Sequence, residues 1–216
     1  AMRGTYPPGS TYKPFMALAA LETGKRSASE IINDQGTWTY GGHTFRSHGD
    51  TGLGAVDMVR SIVMSSNVYY YSLANVMGVD AIHDFMKPLG FGQVTGIDLP
   101  GELRGVLPST QWKKNTYKKP EQQRWYGGET ISLGIGQGYN AFTMLQLANA
   151  TAILANGGLQ LKPRLVMATQ DPIARVDRSV AGDAPVNLGF KPENVAVVRQ
   201  GLIGVAKEGT SARVFA

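Results

Sequence analysis

The chain contains no cysteine, so it has neither a disulfide framework nor a thiolate to offer, and its redox compartment stays open. No apolar run is long enough to span a bilayer, and no signal peptide opens the sequence. Histidine is scarce, with 3 residues, and charged residues make up only 17% of the 216. The formal net charge is +5, and part of that excess sits in Lys113-Lys114, Lys118-Lys119 and Arg124. This segment lacks the aromatic-basic interleaving of RNA-binding modules and any zinc-finger spacing, so a solvated loop is expected and nucleic acid is not an expected partner. Internal repeats and low-complexity tracts are also missing. What remains is ordinary globular usage, 43% hydrophobic, in a chain long enough to bury a good core.

The most informative stretch is Tyr6-Pro-Pro-Gly-Ser-Thr-Tyr-Lys-Pro14. Within it Ser10 precedes Lys13 by one helical turn, which puts both on one helix face with the lysine amine in reach of the hydroxyl. A serine with its own proton acceptor is a candidate nucleophile, provided burial or neighbouring charge keeps the lysine partly neutral. Free N–H groups of the first turn near Ser10 are raw material for an oxyanion hole. Alone, Ser-x-x-Lys is common and fits an exposed lysine at a helix start. Its flanks add weight: Pro7-Pro8-Gly9 makes a stiff approach, Pro14 falls where a missing N–H costs little, and Phe15 to Leu21 is apolar up to Gly24.

Along the chain, residues 10–24 read as a first helix and 27–54 as a polar loop with a short hairpin. Ala55 to Met64 has helical spacing with Asp57 in its first turn. Asn67 is expected to cap a further helix that ends at Gly78, and Asp80 to Leu89 forms another. Residues 96–128 change to Pro, Gly, Lys and Gln and read as a long surface excursion, in which Trp112 and Trp125 could mark a partner surface. A helix returns over Thr143 to Ala155; Leu159 to Ala168 reads as a strand or extended edge, and Glu193 to about Lys207 as an amphipathic helix. Gly134-x-Gly136-x-Gly138 lacks full nucleotide-loop spacing and is expected to be a tight turn. Tyr69-Tyr70-Tyr71 reads mainly as core packing.

Ser65-Ser66-Asn67 is the second constellation. Taken alone it is a helix junction rich in capping residues. Chemically, a second serine can relay a proton to a leaving amine, and an asparagine can orient a lysine or hold a substrate amide. With Gly4 to Pro14, Arg60 to Tyr71, Gly92-Gln-Val-Thr-Gly-Ile-Asp-Leu99, Gly134-Ile-Gly-Gln-Gly-Tyr139 and Leu154-Ala-Asn-Gly-Gly158 in this order, the whole chain resembles the transpeptidase domain of class B penicillin-binding proteins. The Tyr-Pro-Pro-Gly form resembles the elongation type, the penicillin-binding protein 2 subfamily.

That resemblance implies an α+β fold of the penicillin-binding protein and serine β-lactamase kind. Here it would be a mostly helical, partial transpeptidase domain over residues 1–216, truncated at both ends. It implies that Ser10 is acylated by D-Ala-D-Ala stem peptides of peptidoglycan, or by β-lactams, and passes the acyl group to an amine on a neighbouring strand. Lys13 would be the general base, Ser65 the proton relay, and Asn67 the orienter of Lys13 and of the donor peptide amide, with Ser65 and Asn67 also binding substrate. No cofactor is implied. The resemblance also implies a SEDS-family glycan polymerase and elongation-complex proteins as partners, with the domain in the bacterial periplasm, tethered to the inner membrane by an anchor outside this chain. Alternatives are a serine β-lactamase, for which Glu102, Glu121 and Glu129 lie in the stretch that would supply a water-activating base, and a non-catalytic penicillin sensor.

There are departures. No Lys-Ser/Thr-Gly occurs, although in relatives it follows shortly after a segment like Lys207 to Ala216. The chain alone is therefore expected to be inactive and its parent active. Asn67 stands where relatives of this subfamily often have aspartate. His43, His48, Asp50 and Asp34 suggest a metal only superficially. The positions aligned with three ligands of zinc-binding relatives are Ser47, Leu53 and Ser66, poor or impossible ligands, so no metal is expected.

Overall fold

In a computed structural model of the chain, the described residues are 1–47 and 51–215. Strand β1 (Thr5–Tyr6) leads through a 3₁₀ turn over Gly9–Tyr12 into helix α1 (Lys13–Glu22). Strands β2 (Ile32–Asp34), β3 (Thr37–Tyr40), β4 (His43–Arg46) and β5 (Gly54–Val56) follow. Then come helices α2 (Met58–Val63), α3 (Asn67–Met77) and α4 (Val79–Met86), the last running into a 3₁₀ turn over Lys87–Leu89. The middle of the chain holds α5 (Thr110–Thr116), α6 (Pro120–Gln123), α7 (Gly127–Leu133), β6 (Phe142–Thr143) and α8 (Met144–Ala155). It closes with β7 (Leu159–Gln160), β8 (Ala168–Gln170), β9 (Asp177–Ser179), β10 (Val186–Asn187), α9 (Pro192–Lys207) and α10 (Ala212–Phe215).

Helix α1 is the hub. Residues Lys13 to Ala20 are all buried, as its apolar sequence on every side requires. Tyr12 and Phe15 pack edge-on against Phe91, and Tyr12 stacks on Phe142, fixing the entry to the helix. Helix α3 lies alongside with Tyr69, Tyr70 and Leu73 fully buried, as the tyrosine run foretold. Helix α9 packs closely on α2. A methyl group on Gly201 would run into Ile62, and one on Gly204 into Val63, so two glycines set that approach.

The described strands form five two-stranded antiparallel pairs. In the expected polar loop, β3 and β4 make the hairpin while β2 pairs with β5 across it. The excursion after residue 96 is less irregular than expected, since α5, α6 and α7 lie in or at the end of it. Ser109 accepts from Trp112 N–H to cap α5, a serine cap that a lysine-rich surrounding concealed. Residues 159–168 contain only the short β7 and the first residue of β8, with most side chains exposed. Helix α8 starts on the expected Thr143, through a capping box with Gln146. The buried Gln146 amide also donates to the carbonyls of Gln93, Leu103 and Arg104, tying the excursion to the helical core. Among the described residues no helix is long and apolar enough to cross a membrane.

Candidate active site

Ser10 occupies the 3₁₀ turn that feeds α1 and is exposed, whereas Lys13, one turn later, is 1% exposed. The turn is anchored from behind. Gly9 has φ +58°, its N–H donates to the Gly136 carbonyl at 3.0 Å, and Thr11 Oγ1 donates to the Pro8 carbonyl at 2.7 Å. Gly136 itself has φ +69°, and any side chain there would strike the Gly9 carbonyl. The Gly134–Gly138 turn therefore serves as the bed of the candidate nucleophile, a role its glycines alone did not reveal.

The Lys13 ammonium donates to the Ser65 carbonyl at 2.6 Å, Ser65 Oγ at 2.8 Å and Asn67 Oδ1 at 2.7 Å. The structure thus brings Lys13, Ser65 and Asn67 together, but these bonds do not include the Ser10 hydroxyl. Ser10 joins them at a cleft of about 320 Å³, lined by Ser10, Lys13 and Ser65 on one side and Leu154, Leu202 and Val205 on the other. Burial pulls the Lys13 pKa down to about 7, and the carboxylate of Asp34 opposes that pull. A pKa this far below the ordinary lysine range lets the amine give up its proton near neutral pH.

Ser65 has φ +54°, a left-handed conformation uncommon for a residue with a side chain. That conformation turns both its carbonyl and its hydroxyl towards Lys13. Residue Ser66, not Asn67, caps α3: its hydroxyl accepts from Tyr69 N–H at 3.1 Å and donates to Asp34 Oδ2 at 2.6 Å. Asn67 becomes the first residue of the helix, and its side chain is free to face Lys13. This corrects the expected cap by one residue. Similarly, Asp57 caps α2 from outside its first turn, accepting from Arg60 N–H at 2.8 Å.

Other candidates separate from this cleft. Asp34 is buried and held by Ser66 and by the Gly36 N–H at 2.8 Å. His43 packs edge-on against Phe45, and His48 and Asp50 lie outside the described residues. Glu102 accepts from the N–H groups of Thr95 and Gly96, and Glu129 pairs with Lys113. Among the described residues, no carboxylate lines the Ser10 cleft. Trp112 and Trp125 are half-buried against Tyr139 rather than displayed.

The model of the penicillin-binding protein transpeptidase domain matches residues 1–215, and the chain belongs to that family. Its fold is that of these transpeptidases. The peptidoglycan D,D-transpeptidase MrdA of Acinetobacter baumannii is 42% identical over 212 residues, covering 97% of this chain and 31% of the relative. MrdA of Escherichia coli strain K12 is 35% identical over 220 residues, covering the whole chain and 34% of the relative. The chain thus spans about a third of the length of these relatives. Among solved structures, Pseudomonas aeruginosa PBP2 in complex with WCK 5153 superposes with a TM-score of 0.86 at 35% identity, covering 99% of this chain and 48% of the other. PBP2 of Helicobacter pylori, in its complex with MreC, gives 0.79 at 26% identity over 94% of this chain and 36% of the other. The expected resemblance to the penicillin-binding protein 2 subfamily is met on sequence and fold alike.

Proposed function

We propose that this chain carries the acylation site of a peptidoglycan D,D-transpeptidase, with Ser10 as nucleophile and Lys13 as its proton acceptor. The observation that carries this reading is the buried Lys13, its pKa pulled down by burial, held by Ser65 and Asn67 at the cleft where Ser10 is exposed. Of the three oxygens around the amine, only Ser65 Oγ can also donate. A neutral Lys13 has two N–H donors and one lone pair, so the other two oxygens keep their bonds while the Ser65 hydroxyl turns its proton towards the nitrogen. Ser65 thereby becomes a two-way proton relay between Lys13 and the cleft.

In this mechanism the Ser10 oxygen attacks the carbonyl carbon of the penultimate D-alanine as its proton passes to Lys13. Collapse breaks the C–N bond, and terminal D-alanine leaves with a proton returned through Ser65. An amine of a neighbouring strand then attacks the acyl ester and gives up a proton to Lys13 through Ser65; the C–O bond to Ser10 breaks, its oxygen takes that proton from Lys13, and the cross-link is complete. Asn67 orients Lys13 and presents its amide to the donor peptide. A β-lactam would acylate Ser10 by opening its ring in place of losing D-alanine. The absence of a carboxylate lining the cleft among the described residues favours slow hydrolysis of that ester, as in a transpeptidase, over the fast hydrolysis of a β-lactamase.

The Helicobacter pylori PBP2 complex contains MreC, and a further neighbour belongs to a peptidoglycan synthase complex that coordinates polymerization with crosslinking. We infer an elongation-complex setting beside a glycan polymerase, at the periplasmic face of the inner membrane. The test is the intact mass of the full-length protein after incubation with a penicillin. Wild type should carry one stable adduct for many minutes, and Ser10→Ala none. An undiminished adduct on Ser10→Ala, or rapid loss from wild type, would overturn the assignment.

A further inference from the structure

Asp34 has no part in the mechanism above, yet it is 1% exposed and sits directly behind the Ser65–Asn67 segment. Its two oxygens are both engaged. Oδ1 accepts from Gly36 N–H at 2.8 Å, closing a turn between β2 and β3, and Oδ2 accepts from Ser66 Oγ at 2.6 Å. Strand β2 is itself fixed by its pairing with β5, Asp34 opposite Gly54. The carboxylate is thus a rigid buried anchor. The residue it holds, Ser66, immediately follows Ser65, whose left-handed backbone is strained and needs an external hold. Ser66 is gripped twice, by Asp34 and by its cap to Tyr69 N–H, and the Ser65 carbonyl and hydroxyl are consequently fixed on Lys13.

We propose that Asp34 is a positioning residue for the Lys13 proton acceptor, acting both through its bond to Ser66 and through its buried negative charge. This rests on the reading of Lys13 as the base. The groups facing the Lys13 amine are few. On α3 there are Asn67 and the Tyr70 ring, 5.7 Å away, whose hydroxyl burial keeps protonated; Tyr71 beside Asn67 is likewise shifted up by burial. The junction supplies Ser65, and the cleft lining contributes no charged side chain besides Lys13. Asp34, on β2, is the charged group that acts on the amine, and it favours the ammonium form. The two actions are separable. The charge sets the pH at which Lys13 becomes competent, and the bond sets how well its acceptors are placed.

The experiment is the second-order rate of acylation by a chromogenic β-lactam from pH 5.5 to 9, measured on the full-length protein as wild type, Asp34→Asn and Ser66→Ala. Wild type should rise through a midpoint near pH 7, following Lys13. Asp34→Asn removes the charge, so its midpoint should fall by about half to one pH unit. Ser66→Ala keeps the charge and cuts the link, so its midpoint should stay while its plateau drops by about tenfold. A midpoint in Asp34→Asn that is unchanged or raised overturns the electrostatic role, whatever its plateau. A full plateau in Ser66→Ala overturns the positioning role, and this arm decides even if Asp34→Asn fails to fold. Acylation of wild type with neither variant effect sinks the Asp34 proposal alone. Failure of wild type to acylate sinks the function and this proposal together.

Discussion

Among the described residues two lysines are buried by opposite means, and the contrast sets the proposed proton acceptor against a lysine held in an ion pair. Lys13 is 1% exposed, and its three hydrogen-bond partners are neutral oxygens; the carboxylate of Asp34 stands behind Ser66 rather than against the amine. Lys113 is 4% exposed and meets a carboxylate directly, with Glu129 accepting at 2.5 and 2.7 Å. The rings of Trp125, Tyr126 and Tyr139 surround it at 5.5 to 5.7 Å, a cation–π enclosure. Burial alone would push Glu129 up, but hydrogen bonds from Lys113, the Tyr126 N–H and the Tyr139 hydroxyl, with the Lys113 charge, hold it below the usual carboxylate range. A buried lysine becomes a proton acceptor when it is solvated by dipoles and kept from direct contact with a counter-ion.

Replacing each lysine by methionine should split activity from stability. Lys13→Met should lower β-lactam acylation by about a thousandfold, while Lys113→Met should leave it within about threefold, the level of a change remote from the chemistry. For stability the order reverses. Lys113→Met strands a carboxylate that retains 22% exposure, costing about 2 kcal/mol. For Lys13, whose folded pKa of about 7 lies below its ordinary 10.5, the unfolded chain binds more protons between those values. Wild-type stability should therefore rise with pH across that window, and below it the folded state carries the full cost of burying the ammonium. The melting temperature of Lys13→Met relative to wild type should accordingly be more favourable at pH 6 than at pH 9. Equal loss of acylation in both variants would erase the distinction.

The two lysines also differ in how far the sequence exposes their surroundings. Ser10 and Lys13 stand out as a candidate pair because a single helical turn relates them, whereas Ser65 and Asn67 alone read as a helix junction and gain their expected roles only from the family resemblance. The Ser66–Asp34 bond spans 32 residues and the Lys113–Glu129 pair 16, and local periodicity carries no information across such distances. Asp34 does leave a local trace, since Asp-x-Gly is a turn pattern that the Gly36 N–H completes, but its second partner depends on how β2 lies against the start of α3. The capping shift from Asn67 to Ser66 is equally invisible in sequence, where both residues are good caps. Helices α1, α3, α8 and α9 follow their apolar pattern. The two- and three-residue strands are too short for alternation to register.

Ser65 offers an intermediate effect and sharpens the comparison on the Lys13 side. At φ +54° the residue is strained, so Ser65→Gly should be more stable than Ser65→Ala by about 1 kcal/mol in chemical denaturation. Both lose the hydroxyl that can exchange a proton with Lys13, so both should acylate about a hundredfold more slowly than wild type. If the glycine variant recovered acylation, the hydroxyl would be dispensable, and the carbonyl alone would account for the role of Ser65.

The smallest effect belongs to the Lys113 side. Tyr139 donates its hydroxyl to Glu129 Oε1 at 2.8 Å, and its ring packs on Trp112 and Trp125 at 5.1 and 5.9 Å. Burial and the neighbouring Glu129 raise the pKa of that hydroxyl, so it stays a donor at every pH the protein will meet. Tyr139→Phe keeps the ring contacts and removes one bond to a charged acceptor, for a loss of about 1 kcal/mol. Because Lys113 and the Tyr126 N–H still hold the carboxylate, the melting temperature should fall by only a few degrees, and acylation of Ser10 should not change. Tyr139 follows directly on the turn whose Gly136 supports Gly9. A drop in acylation with unchanged melting would therefore mean that the ion-pair region steers the nucleophile turn, and the separation between the two lysines would have to be given up.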